Sequence, residues 1–149
     1  HALAGRDVEV SVVDDVPVFV DPRLTAAAVS QLLENAAEHA PSADAIGVTA
    51  RIEAGELTIA VADRGPGIAA EDLSRLFDRF FQGRSPRPRR AGTGMGLSIA
   101  RGLLAAEGGR VWAANRPGGG AVFTIAVPIG EETTPVDTRR ASPARRGTA

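Results

Sequence analysis

The stretch GTGMGL at residues 92–97 is the strongest indication of fold and function in the sequence, because it leads into a predicted helix. Glycines before a helix leave its first backbone amides open to anionic oxygens, and the helix dipole favours negative charge there. Two segments precede it, namely DRGPGI at residues 63–68 and a predicted helix that carries Asn35. An amide for a metal ion, a carboxylate for adenine and a glycine-rich phosphate loop together predict an ATP site.

Composition excludes several other kinds of nucleotide site. The chain has no lysine, so all 17 basic residues are arginines, which excludes a P-loop, a kinase-type phosphate lysine and a Schiff-base enzyme. The G-x-G-x-G spacing also differs from the dinucleotide fingerprint. The absence of cysteine excludes disulfides, thiol catalysis and cysteine-based zinc sites. Phosphate must therefore be bound by backbone amides, a metal ion and arginine.

Length, charge and hydropathy indicate one domain that binds no nucleic acid. The 149 residues carry a formal net charge of -1, which gives no general attraction to nucleic acid or anionic lipid. No apolar run approaches the ~20 residues that cross a bilayer, so we expect a cytoplasmic domain. The chain starts at His1, a few residues before a predicted strand, which suggests that it is part of a larger protein.

The hydrophobic pattern predicts a mixture of strands and helices. Period-two alternation and short apolar runs predict strands at residues 8–13, 18–20, 46–52, 57–61, 110–115 and 121–127. Helical spacing predicts helices at residues 22–40, 70–77 and 95–107, and Asp21-Pro22 is typical of a helix start. Residues 82–92 are predicted to form an exposed loop, and residues 130–149 are expected to be disordered. The predicted fold is an α/β sandwich over residues 1–129, with one sheet and helices on one face.

The candidate site residues have simpler interpretations when each segment is considered alone. Gln31, Asn35 and His39 recur at i, i+4 and i+8, so they share one face of the first helix, which could be only a solvated face. The Asn35 amide oxygen also suits a Mg²⁺ ion that takes its other ligands from triphosphate and water. Asp63 could accept a hydrogen bond from the adenine amino group and would face the carbonyl of guanine unfavourably. Alone, the segment at 63–68 is a generic turn.

In combination and in this order, the segments resemble the ATP-binding catalytic domain of bacterial sensor histidine kinases, within the superfamily shared by DNA gyrase, Hsp90 and MutL. QLLENAAEH at 31–39 is similar to the asparagine box, DRGPGI at 63–68 to the first glycine box, LFDRFF at 76–81 to the phenylalanine box, and GTGMGL at 92–97 to the second glycine box. The resemblance covers roughly residues 5–129. Within the family, residues 62–68 and 115–124 look most like the osmosensitive potassium-channel sensor kinase.

The resemblance implies a Bergerat fold, a two-layer α/β sandwich whose mixed sheet is mostly antiparallel, with residues 82–92 as a lid over ATP and Mg²⁺. It implies that Asn35 coordinates Mg²⁺, that Asp63 binds the adenine amino group, and that Arg79 is a catalytic residue that stabilises phosphate or contacts a partner. Phe77 and Phe80 are expected at the base of the lid. The other residues expected to line the nucleotide site are Glu38, His39, Gly65, Gly67, Ile68, Gly92, Thr93, Gly94, Met95, Gly96, Leu97 and Thr124.

Two positions depart from the family pattern. Residue 31 is often asparagine and residue 38 is often lysine or arginine in the family, whereas this chain has Gln31 and Glu38. A carboxylate at position 38 would repel phosphate unless it turned away, and the loop arginines Arg84, Arg87, Arg89 and Arg90 could compensate for the missing positive charge. The related ATP-hydrolysing proteins have a glutamate at position 31 that activates water. An amide there offers no general base, which favours transfer to a protein nucleophile over hydrolysis.

The resemblance predicts transfer of the γ-phosphoryl group of ATP to a histidine on a separate dimerisation domain that is absent from this chain. The partners implied are that domain, a response regulator and a second copy of a membrane-anchored parent protein at the inner membrane. Neither His1 nor His39 suits the acceptor role. Two alternatives stay open: a non-catalytic ATP-sensing module, and a serine/threonine kinase related to the anti-sigma-factor kinases.

Overall fold

The computed structural model describes residues 3–41, 43–79 and 96–131. Its elements are β1 (Val8–Val12), α1 (Pro22–His39), β2 (Ile46–Glu53), β3 (Glu56–Ala62), α2 (Gly96–Ala106), β4 (Arg110–Asn115) and β5 (Ala121–Pro128). The strands form one sheet in the order β1-β2-β3-β5-β4. β1 pairs with β2 in parallel, and the other pairs are antiparallel. The predicted α/β sandwich with a mixed, mostly antiparallel sheet is therefore confirmed.

Both helices pack on the same face of the sheet. Leu32 of α1 and Leu104 of α2 are fully buried, and they belong to one apolar core with the strand residues Ile46, Val61 and Ile125. Side chains alternate along a strand, so the strand residues next to each of these three point to the opposite face. The core therefore lies between the two helices and strands β2, β3 and β5.

Local sequence signals account for both ends of α1. The Asp21 side chain accepts hydrogen bonds from the amides of Arg23 and Leu24, at 2.9 and 3.3 Å, and Pro22 occupies the first turn. At the other end Ala40 is extended, as expected for a residue that precedes proline. These signals fix the length of the helix that carries the predicted asparagine box.

Side chains from other parts of the chain bind the two ends of α1. Glu107, just after α2, accepts hydrogen bonds from the Asp21 amide at 3.0 Å and from the Thr25 hydroxyl at 3.3 Å. The Arg6 guanidinium donates to the carbonyls of Ala37 and Ala40 at 2.8 and 2.7 Å, and also to that of Pro41. A cation at a helix C-terminus interacts favourably with the carbonyls that have no partner within the helix.

Two predicted elements are wrong. The strand predicted at 18–20 is a single bridge between Phe19 and Gly130. Gly130, the first residue of the tail predicted to be disordered, therefore still pairs with the domain. The helix predicted at 70–77 is a series of turns, in which the amides of Asp72, Arg75 and Asp78 each donate to the carbonyl three residues earlier. A segment of about two turns lies well below the ~12–15 residues at which an isolated helix becomes stable, so packing decides its conformation.

The edge strand β1 is more exposed than its alternating valines predict. Val10 and Val12 are paired with Val48 and Ala50, on the helix side of the sheet, yet they are 67% and 54% exposed. None of the described helices covers this edge, because α1 and α2 pack over the other strands. The loop at 82–92 and the tail from 132 lie outside the described residues. Within the ranges given above, we find no helix with the length and apolarity needed to span a membrane.

Candidate functional site

Asp63 lies immediately after β3 and is 2% exposed. Its amide donates to the Ala121 carbonyl at 2.9 Å, and its Oδ1 accepts from the amides of Gly65 at 2.8 Å and Ala121 at 3.2 Å. Hydrogen bonds of this kind offset the cost of removing a carboxylate from water. Among the described residues both side-chain hydrogen bonds end on Oδ1, so Oδ2 is the oxygen that a ligand could use.

The glycine turn at residues 65–67 is packed closely against protein on two sides. A Cβ on Gly65 would lie 2.7 Å from the His39 carbonyl oxygen, at the end of α1. Gly67 has a φ of +79°, and a Cβ there would lie 2.8 Å from Oδ1 of Asn115. Other residues rarely adopt that φ, and no Cβ fits at either distance. The two glycines therefore allow the turn to touch α1 and β4, which is a role in addition to the predicted access for a base.

The other end of the same face of α1 touches the second glycine segment. A Cβ on Gly96, the first residue of α2, would lie 2.9 Å from Oε1 of Gln31. One helical turn, about 6 Å along the axis, separates Asn35 from Gln31 and also from His39. The half-buried Asn35 thus lies midway between the start of α2 and the glycine turn. The structure therefore places the turn that follows Asp63 and the first residue of α2 at two ends of the α1 segment that carries Asn35.

Other predicted site residues lie at the margins of this face. Ile68, Phe77 and Leu97 are half-buried and pack against the core. The Phe77 ring lies edge-on to that of Phe123, with centroids 6.4 Å apart and planes at 77°. This contact attaches the turn segment at 70–79 to β5.

Three predicted site residues differ in position from Asp63 and Asn35. Glu38 and Arg79 are both exposed. Thr124 pairs with Ala60 and Trp112, and it follows Phe123, whose side chain belongs to the core. Alternation along β5 therefore directs Thr124 to the sheet face opposite the helices, and the structure does not bring it to the site. The predicted residues Phe80, Gly92, Thr93, Gly94 and Met95, and the four loop arginines, lie outside the described residues.

Sequence reasoning assigned no individual role to the residues at the start of the β4–β5 connection. Asn115 accepts a hydrogen bond from the Ile68 amide at 2.7 Å and donates one to the Ile68 carbonyl at 2.8 Å. Arg116 donates to the Asp63 carbonyl at 2.8 Å. A Cβ on Gly120 would lie 2.0 Å from the same carbonyl oxygen. The run of glycines at 118–120 was the signal available, since it permits close approach of another part of the backbone.

Known proteins are similar to this chain in sequence and in fold. Residues 20–131 match the family described as histidine kinase-, DNA gyrase B-, and HSP90-like ATPases. The sensor-like histidine kinase SenX3 of Mycolicibacterium smegmatis is 35% identical over 133 residues, which cover 86% of this chain and 35% of SenX3. The sensor protein KdpD of Escherichia coli is 36% identical over 118 residues, which cover 79% of this chain and 13% of KdpD. The solved structure of the mycobacterial sensor histidine kinase MprB is 29% identical, with a TM-score of 0.74 and 85% of each chain covered.

The chain spans about a third of the length of SenX3. KdpD and SenX3 have nearly the same identity to the chain, at 36% and 35%. The comparisons therefore give little support to the predicted closer resemblance of residues 62–68 and 115–124 to the potassium-channel sensor kinase. The family match covers most of the chain and includes Asp63 and the face of α1 described above. This chain therefore belongs to the histidine kinase-, DNA gyrase B- and HSP90-like ATPases, as an ATP-binding catalytic domain of the sensor histidine kinase type.

Proposed function

We propose that this chain binds ATP with Mg²⁺ and presents the γ-phosphoryl group to a histidine on a dimerisation domain elsewhere in its parent protein. The observation that carries the nucleotide part is the buried Asp63 carboxylate. Two backbone amides fix its Oδ1, which leaves Oδ2 to accept a hydrogen bond from the adenine amino group. Guanine has a carbonyl at that position, so the same carboxylate discriminates against GTP.

The Asn35 amide supplies one oxygen ligand for Mg²⁺ in this proposal. The described residues contain no group of three or more histidine, aspartate or glutamate side chains that could bind a metal ion. A single amide oxygen is compatible with Mg²⁺, which usually keeps several waters and takes ligands from the phosphates of its nucleotide. We assign Arg79 to phosphate or partner contacts, while the exposed position of Glu38 keeps its charge in solvent.

Transfer to a protein side chain is favoured over hydrolysis of ATP. The Gln31 side chain lies beside Gly96 at the start of α2, where the phosphates of a nucleotide would meet the helix N-terminus. An amide cannot take a proton from water as a carboxylate can. The partners that follow are the parent's own dimerisation domain and a response regulator, with the parent as a membrane-anchored homodimer.

A phosphotransfer experiment on the whole parent protein tests this function. The parent is incubated with ATP labelled at the γ-phosphate, and the labelled protein is then treated with acid. Phosphohistidine is lost in acid, so we expect label that disappears on acid treatment. Acid-stable label would instead indicate the serine/threonine kinase alternative. Bound ATP without any label on the protein would indicate a nucleotide sensor.

A further inference from the structure

We infer that Asn115 is a positioning residue for nucleotide recognition, acting through the glycine turn that follows Asp63. Asn115 is the last residue of β4, and its side chain pairs with both backbone groups of Ile68, the residue that ends this turn. The inference rests on the proposed adenine-binding role of Asp63. It assigns to the β4–β5 connection a specificity function that the four sequence boxes do not include.

The Asn115 side chain has the donor and acceptor arrangement of a peptide group. Its oxygen accepts at 2.7 Å from the Ile68 amide and its nitrogen donates at 2.8 Å to the Ile68 carbonyl, as a neighbouring strand would. Aspartate could provide only the acceptor, and glutamine would place the same amide one methylene farther out. The pairing therefore depends on this side chain in both chemistry and length.

The next residue along the chain binds the other end of the same turn. Arg116 donates to the carbonyl of Asp63 at 2.8 Å, while Asn115 pairs with Ile68. Consecutive residues of one hairpin thus contact the first and the last residue of the segment at 63–68. Gly67 lies between these contacts, and a Cβ on it would lie 2.8 Å from Oδ1 of Asn115. This geometry sets the path of the turn relative to the Asp63 carboxylate.

A purely structural role for Asn115 would have a different signature. Both hydrogen bonds between Asn115 and Ile68 are exposed, so water can replace the lost partner of the Ile68 amide and carbonyl, and the cost to folding is small. Removal of Asn115 instead loosens the turn at 63–68. Within that turn, the side-chain hydrogen bond found among the described residues is the one from the Gly65 amide to Asp63. We therefore expect nucleotide affinity to change much more than stability.

The test is calorimetric titration of the 149-residue chain with ATP, adenosine and GTP. Asn115→Ala and Asn115→Asp should each weaken ATP and adenosine by about tenfold, the factor that corresponds to about 1.4 kcal/mol. GTP should change less, so that the preference for ATP falls. The melting temperature should stay close to that of the wild type, and the Ile68 amide should exchange faster with solvent.

Arg110→Gln is the matched control. Arg110 begins the same strand and also makes an exposed side-chain hydrogen bond, to Glu56 at 2.9 Å, far along β4 from the turn. This variant should bind all three ligands as the wild type does. ATP affinity unchanged in both Asn115 variants, or a loss for ATP with none for adenosine, would overturn the inference. A wild-type chain that binds no ATP would instead contradict the proposed function itself.

Discussion

At the scale of single residues, Asp63 combines two roles that a substitution can separate. Its Oδ1 orders the glycine turn and the start of β5, whereas Oδ2 is the proposed adenine acceptor. Asparagine at this position has nearly the same shape and can keep one oxygen on the two amides. Its nitrogen would then occupy the place of Oδ2 and could only donate.

We therefore expect Asp63→Asn to weaken ATP binding by about 1–3 kcal/mol, the usual cost of a polar group without a suitable partner. Isothermal titration against ATP and GTP measures this change. The exposed Asp78, which is 4.0 Å from Arg101 in an exposed ion pair, provides a control as Asp78→Asn. Equal affinity of the wild type for ATP and GTP would contradict the assignment of adenine recognition to Asp63.

A second prediction at this scale concerns Asn35. Alanine is the best helix former, so Asn35→Ala should leave α1 folded while it removes the proposed magnesium ligand. We expect phosphotransfer by the intact parent to be abolished and the Mg²⁺-dependent part of ATP affinity to be lost. Glu34→Ala, at an exposed neighbouring position, should preserve both. Normal turnover in the Asn35 variant would assign this residue to a solvated helix face.

At the scale of elements, the β4–β5 connection shows which glycines serve conformation and which serve contact. Gly119 and Gly120 both have positive φ, at +114° and +92°. Nothing lies within 4 Å of a Cβ on Gly119, whereas a Cβ on Gly120 would reach 2.0 Å from the Asp63 carbonyl oxygen. The same substitution therefore imposes backbone strain at both positions and a collision at only one.

Gly119→Ala should cost about 1 kcal/mol of unfolding free energy and leave ATP binding nearly unchanged, because only the backbone is strained. Gly120→Ala should cost more and should weaken ATP as well, since the Asp63 backbone must move away. Chemical denaturation and ATP titration of the two variants make the comparison. Equal effects in both measurements would show that the connection does not constrain Asp63.

Local signals in the sequence were sufficient for α1 and for the β2–β3 hairpin. Asp21, Pro22 and Pro41 mark the ends of the helix, and the turn at Ala54 and Gly55 has positive φ at both residues, as a type I′ hairpin turn requires. The contacts of Asn115 and Arg116 could not be predicted in this way. They join side chains to backbone groups 47 and 53 positions away, and no local pattern encodes such a pairing.

At the scale of the whole molecule, burial is unevenly distributed across the sheet. Val61 of β3 is fully buried between the helices and the sheet, whereas Val10 of the edge strand is 67% exposed, although both lie on the helix side. The sequence pattern of the two strands is similar, because alternation shows only which face a residue occupies. Which strands the helices cover depends on packing across the whole fold.

This contrast predicts different responses to the same change. Val61→Thr places a hydroxyl in the core and should lower the free energy of unfolding by about 1–3 kcal/mol. Val10→Thr should change it by less than about 0.5 kcal/mol, as is usual for exposed positions. Urea denaturation of the two variants tests the assignment. A large loss in Val10→Thr would mean that part of this protein covers β1.

The hydrogen bond between Ala121 and Asp63 joins positions that are 58 residues apart, and this separation has a consequence for the order of folding. The β2–β3 hairpin closes through a two-residue turn and can form early, because little chain entropy is lost. The carboxylate beside it gains its hydrogen bond from Ala121 only when β5, the last strand in the chain, has paired with β3. We therefore expect a refolding chain to protect the amides of the hairpin first and to acquire its affinity for ATP in a later kinetic phase.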